Sequence, residues 1–485
     1  MRSRGGARDR GFRSGVERLP LTAGDVAAAT GGRLMRGDTR QPIEGISIDS
    51  RTIGPGDFFI AIRGERFDGH AFIADALSRG ALGVLAESAA AQASAGSAGA
   101  ATVVIGVAET TAALQQIARD VRRRSGARLV AITGSAGKTT TKEVAAEFLS
   151  TRYQVFRNKG NLNNHIGLPL SLLELRSRPE AAVVELGMNH PGEIRTLVGI
   201  AEPEVRVWTN VGDAHLGFFA SADAIADAKA EILENARPDD VLIANADDHR
   251  IVDRSKAFAG RVMTFGLQQP ADVRALSIEE RGLEGTRAVV RTPIGEIDLE
   301  TPLLGLGNLA NVLAAAAVAL QFDVPLDDIQ ARAATLRPAH RRGELLRLPG
   351  GVTVIDDSYN SSPAALRRAL QTLRAATGSA RKVAVLGEML ELGSHAARLH
   401  EECGVAAANA GLDLLITVGG ASARALADAA VRAGMPEAAV AYARSNTEAA
   451  ALALQRVRPG DLVLIKGSRG IGTDVVADRL KAEYA

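Results

Sequence analysis

The chain has 485 residues, 46% apolar and 23% charged, with a formal net charge of +1. That balance excludes a disordered polyelectrolyte and gives no attraction to nucleic acid or an anionic membrane, and at about 100–200 residues per domain the length points to three domains. A single cysteine, Cys403, excludes an intrachain disulfide framework and a multi-thiolate zinc site, and fits a reducing compartment.

Residues 1–19 are Arg- and Gly-rich at their start and lack the apolar run of a secretory signal, so a disordered tail is expected there. A first domain over 20–108 mixes short β runs with a helix; Gly54-Pro55-Gly56-Asp57 reads as a tight turn before a strand at 58–62. Residues 88–101, nearly all Ala, Ser and Gly, read as a flexible loop. A helical pattern at 110–124 opens a second domain, 109–336. In it, apolar runs of strand length recur between helical stretches at 129–133, 182–186, 205–210 and 241–245, as expected of a mostly parallel sheet covered by helices. The most apolar helical stretch, 310–320, is far short of the roughly 18–20 residues that span a bilayer. After Arg337-Pro338 another series, 352–355, 383–386, 414–418 and 462–465, indicates a second α/β sheet and a third domain, 337–485. Ligands of such open sheets bind beyond the carboxyl ends of the strands, where this chain places its polar residues.

The strand at 129–132 runs into Thr133-Gly134-Ser135-Ala136-Gly137-Lys138-Thr139-Thr140, and a helical stretch follows. Strand, Gly-rich turn and helix start are the order a phosphate cradle requires. The glycines let backbone N–H groups approach an anion, Lys138 can neutralise β/γ-phosphates, and the Thr139 hydroxyl suits Mg²⁺. The alternative is a solvated loop with an accidental Gly-Lys-Thr. Ile132 stands where the general pattern has its first glycine, so the shorter Thr-Gly-x-x-Gly-Lys-Thr form points to a narrower group of proteins.

Glu185 closes the strand at 182–186 and should emerge at the ligand edge, where one or two carboxylates suffice for a hydrated hard cation. His215 lies just past the strand at 205–210. Either residue alone reads as structural; their positions after successive strands behind a phosphate loop favour function. Lys229, in a helical pattern with apolar positions 225, 228 and 232, reads by itself as a surface lysine.

Together, several segments resemble the Mur ligase family. They are 133–139; Gly160-Asn161-Leu162-Asn163-Asn164-His165-Ile166-Gly167-Leu168-Pro169; Glu185-Leu186-Gly187-Met188-Asn189; 210–216; Ala228-Lys229-Ala230-Glu231-Ile232; Asp356-Asp357-Ser358-Tyr359-Asn360-Ser361-Ser362-Pro363; Gly387-Glu388-Met389; and Lys466-Gly467-Ser468-Arg469. The Asn-Leu-Asn-Asn and Asp-Asp-Ser-Tyr-Asn segments are closest to the branch that joins D-alanyl-D-alanine to a UDP-N-acetylmuramoyl-tripeptide. The resemblance implies an α/β enzyme of three domains: a small N-terminal UDP-binding domain, a central P-loop ATPase domain with a parallel sheet, and a C-terminal Rossmann-like domain.

It also implies roles. Thr133, Gly134, Ser135, Ala136, Gly137, Lys138, Thr139 and Thr140 would hold ATP phosphates. Thr139 and Glu185 would hold one Mg²⁺, and His215 with a carbamylated Lys229 a second. Arg342, or Arg341 one position away, and Asp357 would reach the nucleotide. Asn308 matches the family's adenine-side asparagine, although Gly307 stands where many members have His. Ser50 and Arg51, in Asp49-Ser50-Arg51, with Gly64 and Asp68-Gly69-His70, fit the UDP-sugar module. Asn161, Asn163 and Asn164 would also meet substrate, and Tyr359, Asn360 and Ser361 would face the incoming dipeptide. The implied chemistry is carboxylate attack on the γ-phosphate and then amine attack on the acyl phosphate, with Lys138, Lys229, His215 and Arg342 as the catalytic set. A cytoplasmic monomer is expected, with no nucleic-acid partner and no integral membrane association. The rivals are another amide ligase of the family, of the MurE or folylpolyglutamate synthase type, a nucleotide-dependent switch, and a non-catalytic UDP-sugar-binding module.

Overall fold

The computed structural model describes residues 18–64, 67–97, 99, 101–213, 216–378 and 381–484. Residues 1–17 of the expected tail lie outside that set. Leu19 is not tail: it is buried, and its N–H donates to Arg176 O at 2.7 Å. The described chain forms two compact units, one of residues up to 128 with 158–182 and 199–202, the other of 129–157, 183–198 and 203 onward.

The first unit contains a five-stranded sheet of β1 (Arg33–Arg36), β2 (Gly45–Ser47), β3 (Asp57–Ile60), β4 (Gly83–Glu87) and β5 (Val103–Val107), ordered β1-β5-β4-β3-β2. Only β1 runs antiparallel to its neighbour. The expected turn forms: Asp57 N–H donates to Gly54 O at 3.1 Å, and Gly54 N–H to Asp57 Oδ2 at 2.9 Å. Its strand stops at Ile60, two residues short of the expected end.

The expected loop at 88–101 is overturned, because Ser88–Ser97 is a helix that buries Ala91 against the sheet. Alanine is the strongest helix former, and a run of it outweighs the Ser and Gly that read as linker. The expected helix at 110–124 spans Thr110–Ser125. The Glu109 carboxylate accepts from its first amides, three arginines close its last turn, and Ala113, Leu114, Ile117, Ala118 and Val121 form its buried stripe.

A nine-stranded sheet follows: β6 (Arg128–Thr133), β7 (Val155–Arg157), β8 (Ala181–Glu185), β9 (Val205–Trp208), β10 (Val241–Asn245), β11 (Arg261–Gly266), β12 (Val273–Glu280), β13 (Thr286–Thr292) and β14 (Gly295–Thr301). Its order is β14-β13-β12-β11-β10-β9-β6-β8-β7. The four strands read from the sequence are all present, though the one expected at 205–210 ends at Trp208. They are buried on both faces, which is why they are almost wholly apolar; β9 also buries Arg206, whose guanidinium donates to Ile232 O and Glu234 O and pairs with Asp240. The antiparallel extension β12–β14 was not foreseen. β13 and β14 alternate buried and open positions and the second half of β12 is exposed, so half their residues are polar and they lack the continuous apolar signal.

The third sheet comprises β15 (Glu344–Arg347), β16 (Thr353–Asp357), β17 (Arg381–Gly387), β18 (Leu414–Val418), β19 (Val440–Ala443) and β20 (Asp461–Lys466), ordered β15-β16-β20-β17-β18-β19. All but β15 are parallel. Apolar layers cover both faces: Leu366, Leu370, Leu399 and Leu426 on one, Ala449, Ala453, Val476 and Leu480 on the other. The expected α/β class with three mostly parallel sheets is what forms. Among the described residues no helix is long and apolar enough to cross a membrane.

Candidate active site

The central sheet sets β9, β6 and β8 side by side, so the loops leaving their carboxyl ends meet in the second unit. From β6 the chain turns through 134–137 into helix Lys138–Leu149. Gly137 holds φ at +83°, and a Cβ there would stand 2.2 Å from Asn311 Oδ1. Gly134, at φ +147°, would drive a Cβ to 1.9 Å from Thr209 Oγ1. Both positions therefore demand glycine.

No side chain caps this helix, and the N–H groups of Gly137, Lys138, Thr139 and Thr140 have no hydrogen-bond acceptor among the described residues. Four free amides at a helix start form an anion site. The amides of Ser135 and Ala136, also expected to face phosphate, turn inward instead: they donate to Asn210 O at 3.0 Å and Asn210 Oδ1 at 2.9 Å. Thr133 is buried beneath the loop, its hydroxyl donating to Leu186 O at 3.3 Å. Lys138 Nζ spans the loop and donates to Gly134 O at 2.8 Å.

Glu185 ends β8, is 3% exposed, and accepts a hydrogen bond from Thr139 Oγ1 at 2.7 Å. This hydroxyl–carboxylate pair is a hard-oxygen donor set of the kind that suits Mg²⁺ beside a phosphate. Among the described residues no group of three or more His, Cys, Asp or Glu is placed to hold a metal. His215 lies outside the described residues.

Lys229 is not the surface lysine that its helical pattern suggests. It is 2% exposed in helix Ala222–Ala230, and its Nζ has no hydrogen-bond or ion-pair partner among the described residues. Burial, and then the positive charge of Lys138, push its amine well below the ordinary value of 10.5. Burial lowers Lys138 too; Glu185 opposes the shift and Arg342 adds to it. Lys138 and Arg342 thus bring positive charge to one side of Glu185, while burial disfavours the charged form of Lys229.

The two neighbouring arginines point to different partners. Arg341, at φ +58°, points its guanidinium to Asp474 and Asp478. Arg342 lies over the Tyr359 ring, 4.1 Å from its centroid, and faces Lys138 electrostatically. Arg469 also lies over that ring, at 5.0 Å. Asp357 ends β16 and pairs with buried Lys466 at 2.6 Å, and the same lysine donates to Asn360 O at 3.0 Å. Ser361 Oγ is buried and has no hydrogen-bond partner among the described residues. Asn308 Nδ2 donates to Leu304 O at 2.9 Å, and Asn308 Oδ1 accepts from Asn311 Nδ2 at 3.4 Å.

Ser50, Arg51, Asn161, Asn163 and Asn164 belong to the first unit. Asp49 caps the turn Ser50–Thr52 and pairs with Arg51 at 2.7 Å, a hydrogen-bonded contact that holds the Asp49 carboxyl down at about 2. Ser50 is buried and Arg51 is open to solvent. Asn161 and Asn164 are exposed, and Asn163 is partly buried. Asn164 Oδ1 is committed to the next turn, accepting from Gly167 N at 2.8 Å.

Four residues given no role from the sequence position this site. Asn210 clamps Ala136 from both sides, with Nδ2 donating to Ala136 O at 2.9 Å, and Thr209 Oγ1 donates to the same carbonyl at 2.7 Å. Asn311 braces Gly137, and Lys466 holds Asp357. The available signal was a polar residue directly after an apolar strand, which marks Thr209, Asn210 and Lys466; Asn311 sits in an alanine-rich helix and carries no such mark.

Three family models match the chain: the Mur ligase middle domain over residues 132–319, the Mur ligase glutamate ligase domain over 341–469, and the Mur ligase family catalytic domain over 42–122. The UDP-N-acetylmuramoyl-tripeptide--D-alanyl-D-alanine ligase of Bacillus subtilis (strain 168) is 33% identical over 463 residues, spanning 95% of this chain and 98% of that protein. The crystal structure of MurF from Acinetobacter baumannii superposes with a TM-score of 0.85 at 32% identity, over 96% of this chain and 100% of that one. MurF ligase from Thermotoga maritima, crystallised in complex with ADP, gives a TM-score of 0.78 at 28% identity, over 90% and 97% of the two chains.

Proposed function

The chain belongs to the Mur ligase family, and from that premise we propose that it joins D-alanyl-D-alanine to a UDP-N-acetylmuramoyl-tripeptide at the expense of ATP. The product is the pentapeptide precursor of peptidoglycan, with ADP and phosphate released. One observation supports this reading above the others: four free amides, Lys138 and the Thr139–Glu185 pair converge where Arg342 adds positive charge and burial keeps the Lys229 amine from holding its proton. Such a site is suited to a triphosphate.

Bringing a substrate carboxylate to a γ-phosphate sets like charges together. Lys138 and Arg342 offset that repulsion, and positioning with electrostatics carries most of the catalysis. The carboxylate attacks phosphorus and ADP leaves. The amine of the dipeptide then attacks the acyl carbon, and phosphate departs from the tetrahedral intermediate. Mg²⁺, when bound, neutralises phosphate charge and orients the γ-phosphate. Thr139 and Glu185 would hold one ion, and His215 and Lys229 a second. A lysine kept neutral by burial is nucleophilic toward carbon dioxide. Forming its N–C bond with loss of one proton turns it into an anionic oxygen donor, the ligand type a hard cation prefers.

Arg342 and Asp357 reach the nucleotide in this reading, with Asn308 beside the adenine. Ser50, Arg51, Asn161, Asn163 and Asn164 contact the UDP-linked substrate, and Tyr359, Asn360 and Ser361 the dipeptide. The division of labour is 20–108 for the UDP-muramyl peptide, 109–336 for ATP and 337–485 for the incoming dipeptide, in a monomer working in the cytoplasm.

The test is mass spectrometry of products made from ATP, D-alanyl-D-alanine and UDP-muramyl tripeptides with diaminopimelate or lysine at the third position. A pentapeptide product with one ADP per bond is expected. ADP formation that ignores the acceptor, or no ligation with either tripeptide, would sink the proposal.

A further inference from the structure

Asn308 belongs to helix Gly305–Leu320, whose Asn311 braces the phosphate loop at Gly137 and bonds back to Asn308. A helix rises about 5 Å per turn, so the first turn of this helix extends roughly one turn beyond the phosphate loop. The nucleoside half of a nucleotide held at 137–140 has to extend past the phosphate loop, and this turn lies within that reach. Gly307 leaves this turn bare. A Cβ added to it would stand 3.3 Å from Arg368 Cδ and 3.4 Å from Arg368 Nε, so the arginine stem occupies the place a side chain at 307 would take.

Arg368 comes from helix Pro363–Ala375 in the C-terminal sheet region. Its neighbour Arg367 is tied to Asp213 at 3.4 Å and Glu402 at 3.7 Å. Arg368 itself is open to solvent, and its guanidinium has no hydrogen-bond or ion-pair partner among the described residues. Surrounding protein and Arg367 weigh against its charge, while Asp357 favours it. Arg368 thus offers free donors, with its stem against Gly307, the residue before Asn308, and with Asp357 close enough to act on its charge.

We infer that Arg368 packs its guanidinium against the nucleoside half of bound ATP, in the space that the missing side chain at Gly307 leaves open. A planar, weakly hydrated guanidinium stacks on an aromatic face in a way a compact ammonium does not. The inference rests on the reading of 133–140 as the ATP-phosphate site, and the experiment separates the two.

Binding of ADP and of inorganic tripolyphosphate, both with Mg²⁺, is measured by calorimetry for the full chain and for Arg368→Ala, Gly307→His, the pair combined, and Lys138→Ala. Arg368→Ala should weaken ADP about tenfold and leave tripolyphosphate within about twofold, with KM for ATP raised and kcat nearly unchanged. Gly307→His should weaken ADP by displacing Arg368, and the combined variant should lose no more than Arg368→Ala alone. Arg368→Met, which keeps the stem, should repeat the loss if alanine disturbs folding. Unchanged ADP binding in Arg368→Ala and Arg368→Met, or an equal loss for tripolyphosphate, overturns the nucleoside contact. If Lys138→Ala binds both probes normally, the phosphate-site reading fails and the inference falls with it.

Discussion

Replacing Asn210 by alanine removes both side-chain hydrogen bonds that clamp Ala136, one to its N–H and one to its C=O, each 2.9 Å long. The carbonyl keeps the Thr209 hydroxyl at 2.7 Å, so its loss is partial. The N–H loses its acceptor in a half-buried turn. At about 1 kcal/mol net per hydrogen bond, with more for a donor left unpaired, the loop is destabilised by roughly 2 kcal/mol. If that cost falls on the geometry that receives the phosphates, kcat/KM drops about 30-fold. Continuous phosphate-release kinetics give kcat and KM, and calorimetric titration gives the ADP affinity. In a unit this large a loss of about 2 kcal/mol should lower the thermal midpoint by only a few degrees. Turnover and ADP binding both within twofold of the unmodified chain would refute the idea that this clamp shapes the phosphate site.

Lys138→Ala is expected to fold and to lose on the order of 10³-fold in phosphate release, as when a preorganised charge donor is removed; near-normal turnover would remove the lysine from the site. Lys229→Ala should be inactive and partly rescued by added short carboxylates, and full activity, or no rescue at any concentration, argues against a carbamate there. Arg123 and Arg119 hold the Glu202 carboxyl down from 4.5 to about 2. The folded value lies below the unfolded one, so this stabilisation is complete above pH 4.5 and is lost as the pH falls through about 2. Glu202→Gln should lower the unfolding free energy by about 1 kcal/mol at neutral pH, since the group is partly exposed and screened. The difference should vanish in acid, and a difference independent of pH would contradict the assignment.

The parallel strands could be read from the chain because each is covered on both faces and so is mostly apolar; β6, β8 and β10 appear as such runs, and β9 does so apart from the paired, buried Arg206. The antiparallel strands β12–β14 could not, since one face meets water and half their residues are polar. Composition misled at 88–97, where linker-like small residues form a helix because alanine dominates them. Lys229 shows the same limit in the site: a helical pattern says which positions are apolar, but only the packed neighbours decide that a lysine between them is sealed from water.

What the sequence by itself determined is the local chemistry: the Gly-Lys-Thr turn at a helix start, the carboxylate at a strand end, and the family to which these segments point. Their order along the chain sets these features, because neighbouring residues cannot be separated in space. Tertiary structure alone decided which distant groups meet. Glu185 reaches Thr139 across 46 residues, and Asn311 reaches Thr141 across 170. Arg341 is drawn to Asp474 while Arg342 is left facing Lys138. Hydrogen bonds and close charge interactions act over a few ångströms, so such pairings follow from strand order and helix packing, which no local pattern encodes.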